Sequence, residues 1–161
     1  MDTHRVYLGL GSNLGNRKSN LEESIRQIGE FAAIKKTSST YETEPWGLKD
    51  QPKFLNQVIF VESTLGPNEL LLHLKKIEQQ MGRKKSVRFG PRLIDVDILF
   101  YDDYMMNTPE LTIPHPHLTE RAFVLVPLAE IAPKLAHPLY HKTIEVLLQD
   151  VDQSSVLLCK N

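Results

Sequence analysis

Residues 54–101 read FLNQVIFVESTLGPNELLLHLKKIEQQMGRKKSVRFGPRLIDVDILFY. This stretch divides into three elements. FLNQVIFVEST is β-branched and aromatic, which favours a strand. GPNELLLHLKKIEQQMG is the clearest helix of the chain. Pro67 suits the first turn, Glu69 favours its positive end, and Leu70, Leu74, Ile77 and Met81 form one apolar stripe up to Gly82. LIDVDILFY then reads as a second strand. A β-α-β unit of this kind also opens the chain. RVYLGLGSN predicts a strand ending in glycines, and Leu21, Ile25, Ile28 and Ala32 recur at helical spacing, with Asn16 or Ser19 as caps. AIKKTSSTYET predicts the strand that follows. Two such units in succession predict an α+β fold, a ferredoxin-like βαββαβ sandwich with a mainly antiparallel sheet and helices packed on it.

Outward from these units the pattern is simpler. EPWGLKDQP is a loop, broken by two prolines and a glycine. TERAFVLVPLAEIAP predicts a helix broken at Pro127, KTIEVLLQD a short helix, and SSVLLC a last strand. No linker, repeat or low-complexity segment divides the chain, and 161 residues suffice for one core, so residues 1–161 are expected to form a single domain. The net charge of −1, from 19 basic and 20 acidic residues, gives no global field toward nucleic acid or a membrane surface. Cys159, the one cysteine, excludes an internal disulfide and a cysteine zinc cluster. No apolar run approaches the ~18 residues of a membrane span, and the N-terminal segment does not match a signal peptide. A cytoplasmic setting is the expectation.

The chemistry concentrates at the second strand. Side chains alternate along a strand, so Asp95 and Asp97 share a face, with Cα atoms about 6.5–7 Å apart. Ile94, Val96 and Ile98 point the other way, into the core. Two carboxylates on one half-buried face repel each other and call for a positive partner. Arginines or a hard cation such as Mg2+ would serve. A plain exposed strand face carrying two acids is the alternative. The preceding loop carries Arg83, Lys84, Lys85, Arg88 and Arg92, and Gly90-Pro91 fixes a turn that aims Arg88 and Arg92. Such a run can be a solvated charged loop or a nucleic-acid patch. Beside paired carboxylates it also has the makings of a polyphosphate-transfer site, where metal bridges phosphate oxygens and arginine forks neutralise charge.

Three further features bear on function. GLGSNLG, residues 9–15, misses the dinucleotide fingerprint by one residue, so its glycines are read as a tight strand-to-helix turn. His115 and His117 lie two residues apart, near Arg121 and Phe123. They can be zinc ligands lacking an evident third, or one can bind phosphate while the other is solvated. Asn56, an amide in an apolar strand, needs partners or a ligand, whereas Phe54 and Phe123 can be plain core.

Taken in order, GLGSNLG, YETEPWG, QPKFLN, RFGPRLIDVDIL and IPHPH…ERAFVL resemble the 6-hydroxymethyl-7,8-dihydropterin pyrophosphokinases of folate biosynthesis, over most of the chain from Gly9 to about Pro133. The resemblance implies an enzyme that transfers a diphosphoryl group from ATP to the pterin hydroxymethyl and releases AMP. It implies two Mg2+ ions at Asp95 and Asp97, and Arg83 and Arg92 as catalytic phosphate ligands beside them. His115 and Arg121 would bind phosphate, as would Lys84, Lys85 and Arg88 of the loop. Leu71, Lys75, Glu78, Ile98 and Thr112 would line the nucleotide. Phe54 and Phe123 would sandwich the pterin, Phe89 would close over it, and Asn56 with Thr43, Glu44, Pro45 and Trp46 would read its polar edge beside Asp95. No protein partner is implied.

Overall fold

The structure is a computed structural model that describes residues 2–45, 50–82 and 93–159. Its elements are β1 (His4–Ser12), α1 (Arg17–Ile28), β2 (Ala33–Thr37), β3 (Tyr41–Thr43), β4 (Phe54–Ser63), α2 (Pro67–Gln80), β5 (Asp95–Tyr101), β6 (Met106–Asn107), β7 (Thr112–Ile113), a 3-10 turn (Leu118–Glu120), α3 (Ala122–Ile131), α4 (Ile144–Leu148) and β8 (Val156–Leu158). The main sheet runs β5-β1-β4-β3-β8, with β2 also on β4, and every pairing is antiparallel. This is the α+β sandwich that the two β-α-β units predict, with β2 and β3 sharing the place of one strand.

Alternation on the strands builds two cores, one on each face. Val6, Leu8 and Leu10 of β1 bury with Ile59 and Val61 of β4 and Val96 and Ile98 of β5, under Leu21 and Ile28 of α1 and Leu70, Leu74 and Ile77 of α2. The opposite face packs Tyr7, Val58, Phe60, Leu99 and Phe100 against Val124, Leu125 and Leu128 of α3 and Ile144 and Leu147 of α4. Leu99 and Phe100 lie on the same side because the β1–β5 register shifts between Tyr7 and Leu8. That bulge lets one strand feed both cores: Ile98 goes to the first, then two successive residues to the second.

Several expectations change in detail. AIKKTSSTYET is two strands, interrupted where Ser38 turns its hydroxyl to the backbone. Ser38 Oγ accepts from Val58 N at 2.9 Å and Ser38 N donates to Val58 O at 2.8 Å. The third helix is not broken at Pro127. It begins at Ala122 and runs through the proline to Ile131. Burial of Val124, Leu125 and Leu128 against the sheet outweighs the single hydrogen bond the proline cannot make. The first helix ends at Ile28 rather than Ala32, and Asn16, not Ser19, is its cap, accepting from Ser19 N at 3.1 Å. The β6–β7 pair was not foreseen.

Candidate active site

α3 and α4 cover only part of the second face. Beyond them the side chains form two rows across the strands. Asp95, Gly11, Asn56 and Tyr41 stand side by side in one row, and Asp97, Gly9 and Val58 in the next. The glycines therefore sit inside β1, as the floor of an open hollow, and not in the turn the sequence implied. Of the motif's three glycines, Gly15, at φ +64°, makes the turn. Ser12 is tied to α1 and Asn13 to the loop before β4. Asn13 Nδ2 donates to Pro52 O at 3.0 Å, and Asn20 Nδ2 donates to Ser12 Oγ at 3.1 Å.

The hollow is one cavity of about 520 Å3, and it continues over the edge strand β5 to α2 and the 108–112 turn. Fourteen of the expected site residues line it: Thr43, Glu44, Phe54, Asn56, Leu71, Lys75, Glu78, Asp95, Asp97, Ile98, Thr112, His115, Arg121 and Phe123. Pro45 is buried and is not among the lining residues. Trp46, Arg83, Lys84, Lys85, Arg88, Phe89 and Arg92 lie outside the described residues. Gly9, Gly11 and the Thr108–Leu111 turn line the cavity too, and sequence reasoning missed them.

The aspartates hold the middle. Asp95 is half-buried, while the Asp97 side chain is 52% exposed, so the pair is better solvated than the half-buried face expected from sequence. The strand that carries them is tied from outside. Glu78 of α2 is buried, and its Oε2 accepts from Val96 N at 2.9 Å, between the two aspartates. A carboxylate thus satisfies a backbone donor on the edge strand that, among the described residues, no neighbouring strand reaches.

His115 and Arg121 stand at one rim. His115 N donates to Leu99 O at 3.1 Å, which hangs the histidine on the outer edge of β5. Its Nδ1 accepts from His117 N at 3.2 Å, so the neutral ring carries its proton on Nε2, the atom that faces Asp97 Oδ2 at 4.0 Å. Burial first, then the charges of Arg121 and His117, push the imidazole down to about 4. At neutral pH the contact with Asp97 is therefore a neutral N–H facing a carboxylate, not an ion pair. His117 is exposed and sits 3.4 Å from Glu120. Burial lowers the Arg121 guanidinium, against the pull of Asp97, Glu120 and Asp95, and its Cζ lies 5.5 Å from the Phe123 ring centre.

The other end is aromatic and amide-bearing. Phe54 and Asn56 project from β4, with Phe123 from the start of α3. Asn56 is buried, and its Nδ2 donates to Thr43 Oγ1 at 2.5 Å. The partner that an amide in an apolar strand requires is thus a threonine on β3, itself at the cavity wall. A flat, polar-edged ring would find π surface and hydrogen-bonding groups here, a polyanion would find Lys75, His115 and Arg121, and the two aspartates lie between.

Comparison with known proteins agrees. The family model of 7,8-dihydro-6-hydroxymethylpterin-pyrophosphokinase matches residues 7–133. A 2-amino-4-hydroxy-6-hydroxymethyldihydropteridine pyrophosphokinase of Aquifex aeolicus is 46% identical over 140 residues, covering 87% of this chain and 88% of that protein. One of Bacillus subtilis is 44% identical over 128 residues, 78% of this chain and 77% of the relative. The mitochondrial folate synthesis bifunctional protein of Arabidopsis thaliana is 46% identical over 129 residues, but these are 80% of this chain and only 23% of that one. Wild-type Plasmodium falciparum HPPK-DHPS with pteroate superposes with a TM-score of 0.75 at 19% identity, over 92% of this chain and 42% of that chain. At that identity the likeness speaks for the fold. The family model and the two stand-alone relatives carry the assignment: this chain belongs to the 7,8-dihydro-6-hydroxymethylpterin-pyrophosphokinase family and is an enzyme, a pyrophosphokinase of folate biosynthesis.

Proposed function

We propose that the chain transfers the diphosphoryl group of Mg-ATP to the hydroxymethyl oxygen of 6-hydroxymethyl-7,8-dihydropterin and releases AMP. The observation that carries this reading is the row Asp95–Gly11–Asn56, with a carboxylate and an amide on one sheet face, across a single strand. The donor set fits Mg2+. It is all oxygen, two carboxylates on one strand face, with Asp97 open to solvent. Among the described residues no group of three or more His, Cys, Asp and Glu could hold a metal by itself. A cation here would complete its shell from water and phosphate oxygens, as Mg2+ does.

In this reading Phe54 and Phe123 stack on the two faces of the pterin, and Asn56, Thr43 and Glu44 hold its polar edge, while Pro45 and Trp46 are assigned to that edge by family resemblance alone. Leu71, Lys75, Ile98 and Thr112 line the nucleotide, and Glu78 fixes the strand. His115 donates Nε2–H to a phosphate oxygen, and Arg121 neutralises another while leaning on Phe123. Arg83, Lys84, Lys85, Arg88, Phe89 and Arg92 are assigned to the phosphates and to closure by family resemblance alone. The pterin oxygen attacks Pβ in line, the bond from Pβ to the α–β bridging oxygen breaks, and AMP leaves with that oxygen and its electron pair. Two Mg2+ ions at Asp95 and Asp97 would screen the triphosphate charge and polarise the attacking and leaving oxygens. The hydroxyl proton leaves through Asp97, whose side chain is 52% exposed, or, if the bound metal alone suffices to acidify the hydroxyl, directly to solvent.

We also propose that residues 1–161 act as one domain in the cytoplasm, without nucleic acid or an obligate protein partner. In support, one sheet serves both cores, and among the described residues no helix is long and apolar enough to cross a membrane. The test is to incubate the protein with Mg-ATP and the hydroxymethyl-dihydropterin and identify the nucleotide product. AMP is expected. ADP would mark an ordinary kinase, and unchanged ATP would refute the reading.

A further inference from the structure

We infer that Gly11 is a positioning residue for the acceptor: its missing side chain holds the Asn56 amide in the orientation that reads the ring. Gly11 is the cross-strand partner of both Asn56 and Asp95, and it lines the cavity between them. A Cβ at this position would come within 2.9 Å of Asn56 Oδ1 and 3.4 Å of Phe54 Cδ1. Gly9, on the same face, would meet only the Leu99 side-chain end, at 3.4 Å, an ordinary contact. Space beneath Asn56 is therefore the specific need, not flexibility of the strand.

The amide has no cheap way to yield. Its nitrogen end is held by Thr43 Oγ1, and both residues are buried. Turning the side chain away from a new methyl would break that bond and leave two buried polar groups unsatisfied. Tilting it without breaking the bond would aim the amide oxygen away from the row it shares with Asp95. The nitrogen is set by Thr43 and the oxygen by the hole at Gly11, and together they fix which edge of a flat heterocycle is recognised. The ring is placed by the same stroke relative to Asp95, two strands over. This inference rests on the pterin reading of the site.

The test compares Gly11→Ala, Asn56→Ser and the double variant with the wild-type protein. Wild-type release of AMP is measured first, so that failure of the reaction itself is seen separately and, since the inference rests on it, overturns both. Given that reaction, Gly11→Ala should raise the KM for the pterin about tenfold or more, with the KM for ATP changed less than about twofold. The Asn56 side-chain NH2 resonances, read by amide NMR without substrate, should shift. Serine at 56 is shorter and leaves room for the methyl, so adding Gly11→Ala to Asn56→Ser should cost nothing further. If Gly11→Ala alone does not fold, the double variant should fold and match Asn56→Ser. An unchanged pterin KM in Gly11→Ala, a loss that adds in full to that of Asn56→Ser, or a double variant that stays unfolded would each overturn the assignment.

Discussion

Replacing Glu78 tests how the strand that carries Asp95 and Asp97 is held. Glu78 is 5% exposed, and its carboxylate accepts from Val96 N at 2.9 Å. A hydrogen bond to a charged group contributes about 1.5–3 kcal/mol, and an orphaned buried N–H costs about 1–3 kcal/mol. Removing a buried charge returns part of that, because the carboxylate no longer has to stay desolvated. For Glu78→Ala the net loss should be about 2–3 kcal/mol. At about 2–4 °C per kcal/mol for a domain of this size, the melting midpoint should drop about 5–10 °C. Glu78→Gln keeps an acceptor oxygen at the same reach and should stay within about 1 kcal/mol of the wild type. Because Val96 lies between Asp95 and Asp97, the alanine variant should also lose more in turnover than in pterin KM. Thermal and urea unfolding followed by circular dichroism, with AMP release as the activity readout, check these values. An alanine variant melting within about 2 °C of wild type would refute the reasoning, as would a glutamine variant less stable than the alanine one.

Asp95→Ala and Asp97→Ala should each remove AMP release while leaving the melting midpoint near that of the wild type, since each deletion relieves like-charge repulsion; full activity in either would sink the metal assignment. His115 gives a pH signature. Its folded value of about 4 lies below the ordinary 6.5, so the unfolded chain takes up a proton that the folded one refuses. That contribution is complete above about 6.5, is lost as pH falls toward 4, and is worth up to about 3 kcal/mol. Urea midpoints at pH 7 and pH 4 should therefore lie closer together in His115→Asn than in wild type, and equal spacing would count against the buried neutral ring. Asn16→Ala, remote from the cavity, should cost about 1 kcal/mol by uncapping α1, without altering the pterin KM.

The parts legible in the sequence are those in which one period runs uninterrupted. Pro67, the Leu70–Leu74–Ile77 stripe and Gly82 mark α2 within a residue or two. The D-x-D pattern puts Asp95 and Asp97 on one face because no bulge interrupts the alternation between them. What stayed hidden turns on a change of period or a long-range partner. The shift that sends both Leu99 and Phe100 to the second core leaves no local mark. Nor does the Ser38 hydroxyl that splits β2 from β3, since its partner Val58 lies twenty residues on. Pro127 looks like a breaker because propensity ignores the burial around it. The glycines were misread for a different reason. Glycine after a strand and glycine inside one look alike, unless the neighbours are counted: Leu8 and Leu10 alternate with Gly9 and Gly11, which already places both glycines on the face opposite the first core. Glu78 and Thr43 were attached to the site by resemblance alone. Their partners on other elements, Val96 and Asn56, give them physical roles that spacing could not.

The incomplete cover of the second face has a consequence for how the protein behaves at rest. Where α3 and α4 stop, the sheet presents glycines, an amide and carboxylates in place of an apolar surface that would stick to other molecules. Among the described residues, this end of the sheet lacks the packing that secures the Tyr7–Phe60–Phe100 end. Backbone amides from Gly9 to Ser12 should open and exchange with solvent sooner than those of Val6 to Leu8. A pterin bound as proposed would act as the missing piece of the second layer. Substrate binding there would stabilise the sheet, so protection should spread along β1 as the site fills.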